Sequence, residues 1–375
     1  MSNLSETLPV IDVDVFLSGD GTSPRIQEEC RKAADALITY GALLLHDSRV
    51  SEDDNDTFLD LMEDYFAQPL ADLERDQRPE LSYQVGVTLE NTEKPKCAVD
   101  ESCLDVIARL DPSERPLDIS GHQPDPKCRF FWKMTTPPPY KTDYPALNAP
   151  NVIPQAPMFS DIWQSVMEKW GKSMKDAVEN VAEMVALGLG LPRQTFKDAG
   201  KYGPHLLAPT ASDLVKYGKK DTILAGFHTD LNCLTIHGRS RFPGLNIWAR
   251  NTGRRIPVRF PPTGRFLLVQ SGKQIEHLTA GLIKAGYHEV VVNDNTIETI
   301  AKRRVSHPNR PLIRISSTFF WHLSSDYDLA PIPSLLGRAK SLHPTESEAS
   351  LESLYPSMKV GKQVQNELKH IALMV

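Results

Sequence analysis

A chain of 375 residues, 40% hydrophobic and 24% charged, is long enough to bury one large core or two ordinary ones. Its net charge of −6 excludes the basic excess that nucleic-acid binding normally requires. No stretch approaches the roughly 18 apolar residues of a membrane span, and the start MSNLSETLPVIDVD lacks the basic head and apolar run of a secretory leader, so a cytoplasmic, soluble protein is expected.

Residues 8–16, LPVIDVDVF, alternate well enough for a strand. A helix is expected over residues 24–40. Ser23 can cap it, Pro24 suits its first turn, Ile26, Cys30, Ala33, Leu37 and Ile38 recur at helical spacing, and Gly41 can end it. ALLLHD (42–47) reads as a buried strand, and a second helix begins after Ser51, with acids in its first turn that suit the helix dipole. Residues 70–157 are rich in Pro and charge and read as long loops with little regular structure. Trp163, Met167, Trp170, Met174, Val178, Val181 and Val185 follow a 3.6-residue period and predict a long core helix over 160–189. From about 205 to 322 the chain reads as short strands with turn signals between them and no helices, which argues for a sandwich or barrel. Within this stretch AKRRVSHPNR reads as a solvated loop. VGKQVQNELKHIALMV predicts a closing helix. The five cysteines are Cys30, Cys97, Cys103, Cys128 and Cys233, and only Cys97 and Cys103 lie close together. The odd count and the absence of CxxC argue against a disulfide framework.

GFHTDLNCLTIHG places His228 and Asp230 two residues apart in a run that reads as a strand. Side chains at i and i+2 share a face about 7 Å apart, which suits two ligands of one ion. Alone, HxD is an ordinary polar strand face, and it gains meaning from a third ligand downstream. Two histidines compete for that place: His277, in SGKQIEHLTAG where a turn is expected, and His288, in the β-branched run GYHEVVVND. A strand holds a ligand more rigidly than a turn, which favours His288. Two histidines and a carboxylate form the triad of non-haem Fe(II) oxygenases, with positions left for a bidentate co-substrate and O2. Zinc enzymes more often use HExxH, which the sequence lacks. In RPLIRISSTFFWH, Arg314 and Ser316 again share a face, and a guanidinium with a hydroxyl beside it can grip the far carboxylate of a dicarboxylate.

On these residues the chain resembles the isopenicillin N synthase-like branch of the Fe(II)- and 2-oxoglutarate-dependent dioxygenases, over nearly its whole length. LPVIDVDVF is similar to that family's opening strand. ALITYGALLLHDSRVSEDD and DYFAQPLADLE resemble its N-terminal region. HTD, QSGKQIEHLTAGLIKAGYHEVVVN and RISSTFF resemble its catalytic barrel. In the family a Gln-x-Gly turn and an x-Thr-x-Gly turn precede the ligand histidine and a Val-rich run; His288 stands in that place and His277 does not. The resemblance implies a mainly β fold with α: a double-stranded β-helix, or jelly roll, at 201–325, wrapped by an N-terminal helical and mixed region at 1–200 and followed by a tail and helix at 326–375. It implies Fe(II) on His228, Asp230 and His288, and 2-oxoglutarate on Arg314 and Ser316. O2 is the other co-substrate and a small molecule the substrate, with no nucleic-acid or membrane partner.

Two departures stand out. Where the family often carries Asn-Tyr-Tyr-Pro-Pro, this chain has HLLAPTASD, with Leu206, Leu207 and Ala208 in place of a tyrosine that can touch the co-substrate. The hairpin between His288 and Arg314 is lengthened by NDNTIETIAKRRVSHPNRP (293–311), which reads as a lid, an interface or a loop elaboration. Phe227, Leu245, Phe320 and parts of 80–140 are the expected substrate walls. The alternatives are an Fe(II) oxidase of the isopenicillin N synthase type, whose RxS pair holds the substrate's own carboxylate, a non-catalytic β-helix binding module, and a structural zinc protein.

Overall fold

Local capping chemistry sets the first elements of the chain. β1 (Val10–Asp12) runs directly into α1 (Val13–Leu17), because the Asp12 side chain accepts from the Asp14 amide and caps a helix where a longer strand was expected. α2 (Pro24–Tyr40) is capped by Ser23 and ends at Gly41, whose φ of 69° a side chain would resist. β2 (Ala42–His46), α3 (Glu52–Phe66) and α4 (Leu70–Glu74) follow, with Ser51 capping α3. The computed structural model describes residues 7–370 apart from 20, 94–96, 98–99, 118–122, 262–263 and 343–347. Residues 371–375 of the expected closing helix lie outside the described residues.

The stretch read as loops contains β3 (Gly86–Thr88), α5 (Glu101–Arg109) and β4 (Cys128–Lys133) before α6 (Pro157–Ser160). The long core helix is α7 (Trp163–Gly188), trailed by α8 (Thr195–Gly200). The strand-rich part consists of β5 (Leu206–Leu207), β6 (Thr210–Asp213), α9 (Leu214–Tyr217), β7 (Ile223–His228), β8 (Leu234–His237), β9 (Leu245–Trp248) and β10 (Arg255–Pro257). It continues with β11 (Phe266–Ser271), α10 (Lys273–Leu278), β12 (Tyr287–Val291), α11 (Asp294–Ser306), β13 (Ile313–Ser316) and β14 (Thr318–Trp321). The tail carries β15 (Asp328–Leu329), α12 (Pro333–Leu342), α13 (Glu348–Leu354), β16 (Met358–Lys359) and α14 (Val360–His370). No helix among the described residues is long and apolar enough to cross a membrane.

Two sheets face each other across the site. The larger runs β1-β2-β11-β8-β14-β5-β4-β6-β13, with β3 on β4, and the smaller runs β10-β9-β12-β7. Strand alternation gives the large sheet two unlike faces. Val269, Ile236, Phe319, Leu207 and Trp132 form one cross-strand row and are buried in the main core with α2, α3 and α7. The next row, Gln270, Thr235, Phe320, Leu206 and Lys133, faces the other way, toward the smaller sheet.

Two expectations need correction. The 293–311 stretch is not a loop: Asn293 and Thr296 form a reciprocal capping box that starts α11. Two of its basic residues, Arg303 and Arg310, are engaged rather than solvated, whereas Lys302 and Arg304 are exposed. Glu63 on α3, 1% exposed, pairs with Arg303 at 2.9 Å, Arg310 at 3.1 Å and Arg241 at 3.0 Å. Against the expectation of no disulfide framework, Cys97 and Cys103, the two that lie close in sequence, form a disulfide within a cluster that includes Phe227 and Trp248. Loop closure of so short a span stabilises by roughly 2 kcal/mol. Removing one partner of a buried ionic hub leaves the others uncompensated, at about 3–5 kcal/mol. Glu63→Ala is therefore expected to lower the thermal midpoint by many degrees, whereas Lys302→Ala, which breaks only the exposed pair with Glu298, shifts it negligibly; calorimetry of both variants checks this.

Candidate active site

β7 and β12 are antiparallel partners with His228 directly opposite His288, and the ring centroids lie 4.2 Å apart. Asp230 stands just past the end of β7, so it reaches the histidines from a loop and not from a second strand position. Both Nε2 atoms lie 3.8 Å from Asp230 Oδ1, and one ligand atom from each residue lies within 4.8 Å of the others. Two of the outer atoms are already committed, and the third, His288 Nδ1, is buried. The His228 Nδ1–H donates to Gly226 O at 2.6 Å, which fixes the tautomer that turns a bare Nε2 inward, and Thr235 Oγ1 donates to Asp230 Oδ2 at 2.6 Å. Burial, and then the adjacent His288, push the His228 pKa down to about 4, so the ring is neutral. Burial pushes the Asp230 carboxyl up, but His288, His228 and the Thr235 hydroxyl outweigh it and hold it below the usual carboxylate range. One carboxylate oxygen and two imidazole nitrogens converge, which is the donor set a divalent Fe(II) takes. His277, the competing histidine, sits in α10 with its ring 5.5 Å from Tyr355 and outside this group.

Arg314 and Ser316 lie on β13 with Nη1 donating to Oγ at 2.6 Å. Arg314 is 5% exposed, and its Nε has no partner among the described residues. Burial alone brings its guanidinium down to about 10. His237 is anchored with Nδ1 3.1 Å from Thr318 Oγ1 and Nε2 2.9 Å from Gln270 Oε1. The metal-ligand candidates line a cavity of about 180 Å³, whereas Arg314 lines an adjoining one of about 420 Å³. Ser316, His237 and Leu245 line both. The second cavity is edged by Arg239, Arg241 and Arg259, with no carboxylate in its lining.

Of the expected substrate walls, Leu245 and Phe320 line the first cavity. Phe227 does not. As the neighbour of His228 on β7 its ring points to the opposite face, stacked on Tyr287 at 4.5 Å and edge-on to Trp248 at 4.8 Å. Of the three residues standing in the tyrosine element, Leu206 lines the cavity, while Leu207 is buried in the main core. The 80–140 stretch, also expected as a wall, lines this cavity through charged residues that sequence reading did not name. Lys127 pairs with Asp125 at 2.8 Å, Arg129 pairs with Glu93, and the Arg129 guanidinium stacks 3.9 Å above Phe131. Asp125 also accepts from the Gly226 amide at 3.1 Å, which ties this wall to the ligand strand. The signal was the alternation in CRFFWK, in which Phe130 and Trp132 go to the core and Arg129 and Phe131 to the cavity. Val364 and Leu368 of α14 complete the lining.

Residues 199–323 match the family model described as the 2OG-Fe(II) oxygenase superfamily. Among relatives, the chain is 25% identical over 174 residues to a flavonol synthase/flavanone 3-hydroxylase of Eustoma exaltatum subsp. russellianum, covering 46% of each chain. It is 24% identical over 212 residues to 1-aminocyclopropane-1-carboxylate oxidase 4 of Solanum lycopersicum, covering 55% of this chain and 60% of that one. The matches span about half the length of the flavonol synthases. Among solved structures, the full-length Neurospora crassa T7H in complex with alpha-KG superposes with a TM-score of 0.70 at 18% identity, covering 98% of both chains. JOX2 in complex with 2OG, Fe and JA gives 0.61 at 18% identity, covering 100% of this chain and 91% of that one. These two likenesses show a shared fold. The segment matched by the family model, a third of the chain, contains His228, Asp230, His288, Arg314 and Ser316, and that segment is similar to the 2OG-Fe(II) oxygenase superfamily.

Proposed function

We propose that this protein is a non-haem Fe(II)- and 2-oxoglutarate-dependent oxygenase that oxidises a small molecule. Its jelly-roll core spans 201–325, residues 1–200 pack on that core, and 326–375 close one end. The convergence of His228, Asp230 and His288 carries this reading, because each has its outer atom engaged or buried and its inner atom turned to one point. When bound there, Fe(II) supplies O2 activation coupled to decarboxylation of 2-oxoglutarate. The chain's own part is positional. Thr235 holds the carboxylate so that one oxygen stays free, and Gly226 O holds the His228 ring. Arg314 and Ser316 would take the far carboxylate of 2-oxoglutarate. Leu206, Leu245, Val290 and Phe320 keep water from the reacting carbon. The substrate is a small organic molecule, and the outcome is hydroxylation, desaturation or ring closure.

An anaerobic titration tests this. Fe(II) and then 2-oxoglutarate are added to the protein while the visible charge-transfer band of the chelate is followed. A saturable band is expected. In Arg314→Met the affinity for 2-oxoglutarate falls by at least about 30-fold, the loss of a desolvated charge pair of roughly 2–5 kcal/mol. Iron binding without the band would reassign Arg314 to the substrate's own carboxylate, as in a 2-oxoglutarate-independent oxidase. Thr235→Val, which frees Asp230 Oδ2, is expected to weaken Fe(II) binding by roughly 10–100-fold while the fold is retained; competition with a chromogenic chelator measures it.

A further inference from the structure

A polar side chain shut away from bulk water without a partner is costly, and a fold that keeps one keeps it for something that completes it. His322 is such a group, and it lines the cavity of the metal-ligand candidates. It is 4% exposed, and neither ring nitrogen has a hydrogen-bond partner among the described residues. The two nitrogens differ in access: Nδ1 is enclosed, whereas Nε2 is not. With no acceptor within reach of the enclosed Nδ1, the proton of the neutral ring belongs on Nε2. Burial, aided by the Lys133 charge, pushes the pKa down to about 3, so the ring stays uncharged near neutral pH. The cations in the same lining are already matched, Lys127 by Asp125 and Arg129 by Glu93.

The sheet aims this ring. Thr318, Phe320 and His322 alternate along β14 and just past its end, and all three line the cavity, while Phe319 and Trp321 go to the main core. The backbone beneath the ring is pinned. The His322 amide donates to His205 Nδ1 at 3.1 Å, and the Leu323 amide donates to Gln274 Oε1 at 2.9 Å. A Cβ at Gly203 would stand 2.2 Å from the His322 carbonyl oxygen, so a glycine there permits the close approach. Asn232 donates to the Trp321 carbonyl at 3.3 Å, and its Oδ1 lies 3.2 Å from Thr235 Oγ1, the hydroxyl that holds Asp230. One polar network therefore carries both the candidate metal ligand and the strand end that presents His322.

We propose that His322 binds the substrate, its Nε2–H donating to a carbonyl oxygen, and that the substrate class is an uncharged, flat ring compound bearing that carbonyl. This rests on the oxygenase reading. Lack of charge follows from the lining, whose Lys127 and Arg129 already have their carboxylates and whose free donor is a neutral imidazole. Flatness follows from Phe131 and Phe320, which stand edge to face with ring centres 6.2 Å apart in the same wall, a corner that takes a ring against one face and beside the other.

The probes are indanone and tetralone, with the carbonyl beside the aromatic ring, each compared with its parent hydrocarbon, indane or tetralin. Binding to protein loaded anaerobically with Fe(II) and 2-oxoglutarate is measured by titration calorimetry at pH 7 for wild type, His322→Leu and His322→Gln. At least one ketone is expected to lose about ten-fold in affinity in His322→Leu, the loss of one enclosed hydrogen bond, while its hydrocarbon binds no more weakly than before. His322→Gln, whose amide can donate from the place of Nε2, is expected to hold the ketone within about three-fold of wild type. No binding of either ketone to wild type, ketone affinity unchanged in His322→Leu, a loss shared equally by the hydrocarbon, or an equal loss in His322→Gln overturns the assignment. Absence of the chelate band in wild type, with the His322-dependent discrimination intact, overturns the oxygenase reading alone. The band also reports the integrity of the variants. Should it form in wild type and not in His322→Leu, His322→Asn, whose amide stops short of the Nε2 position, takes its place with the same expected loss.

Discussion

The architecture rests on the unlike faces of one sheet. Residues of a single cross-strand row cannot change sides without moving their neighbours, because side chains alternate and the strands are hydrogen-bonded in register. The row from Val269 to Trp132 is locked into the helical core by α7, whose Trp163, Met167, Trp170 and Met174 are all buried. That lock leaves the next row, from Gln270 to Lys133, no choice but to face inward. The interior is consequently polar where a packed core would be apolar, and its polarity is held in place by hydrophobic packing on the far side of the same strands. Even Trp170 joins the two, donating from its indole to Ser317 at 2.7 Å, next in sequence to Ser316.

The polar interior survives because most of it is internally compensated. Glu93, Asp125, Lys127 and Arg129 form a neutral set, and Asp230 is matched by two histidines and a hydroxyl. Each set is held by elements from distant parts of the chain. Such sets are strong only when complete, so the segment around 84–131 is part of the site and not a loop beside it.

The parts of this structure legible in the sequence are those governed by local chemistry. Ser23, Ser51 and Gly41 mark the ends of α2 and α3 through capping geometry that needs no tertiary partner. The period of α7 and the β-branched run of β12 likewise speak for themselves. HxD, the downstream histidine and RxS were visible as residue types, and the structure brings each set together. What was hidden depends on tertiary choice. β4 carries a clear alternation in CRFFWK, yet its proline-rich surroundings gave no reason to dock it between β5 and β6. α11 has a capping box but buries only Thr296 and Ile300, so its hydrophobic pattern is faint and Glu63 holds it in place from another part of the chain. The Cys97–Cys103 bridge depends on where α5 turns back, which spacing alone does not reveal.

The pairing of His288 with His228 has a consequence for how the small sheet chooses its alignment. The contact between β12 and β7 shifts register beyond His288, while the ladder of β12 with β9 runs without a shift and fixes the alignment from its other side. Sliding β12 by one residue would set Tyr287 or Glu289 opposite His228 and turn the second imidazole away. A cation that needs both rings binds only the correctly aligned sheet, and it stabilises that sheet according to its free concentration. Metal affinity at this pair of rings would therefore report on strand alignment, as the β9 ladder reports on it from the other side.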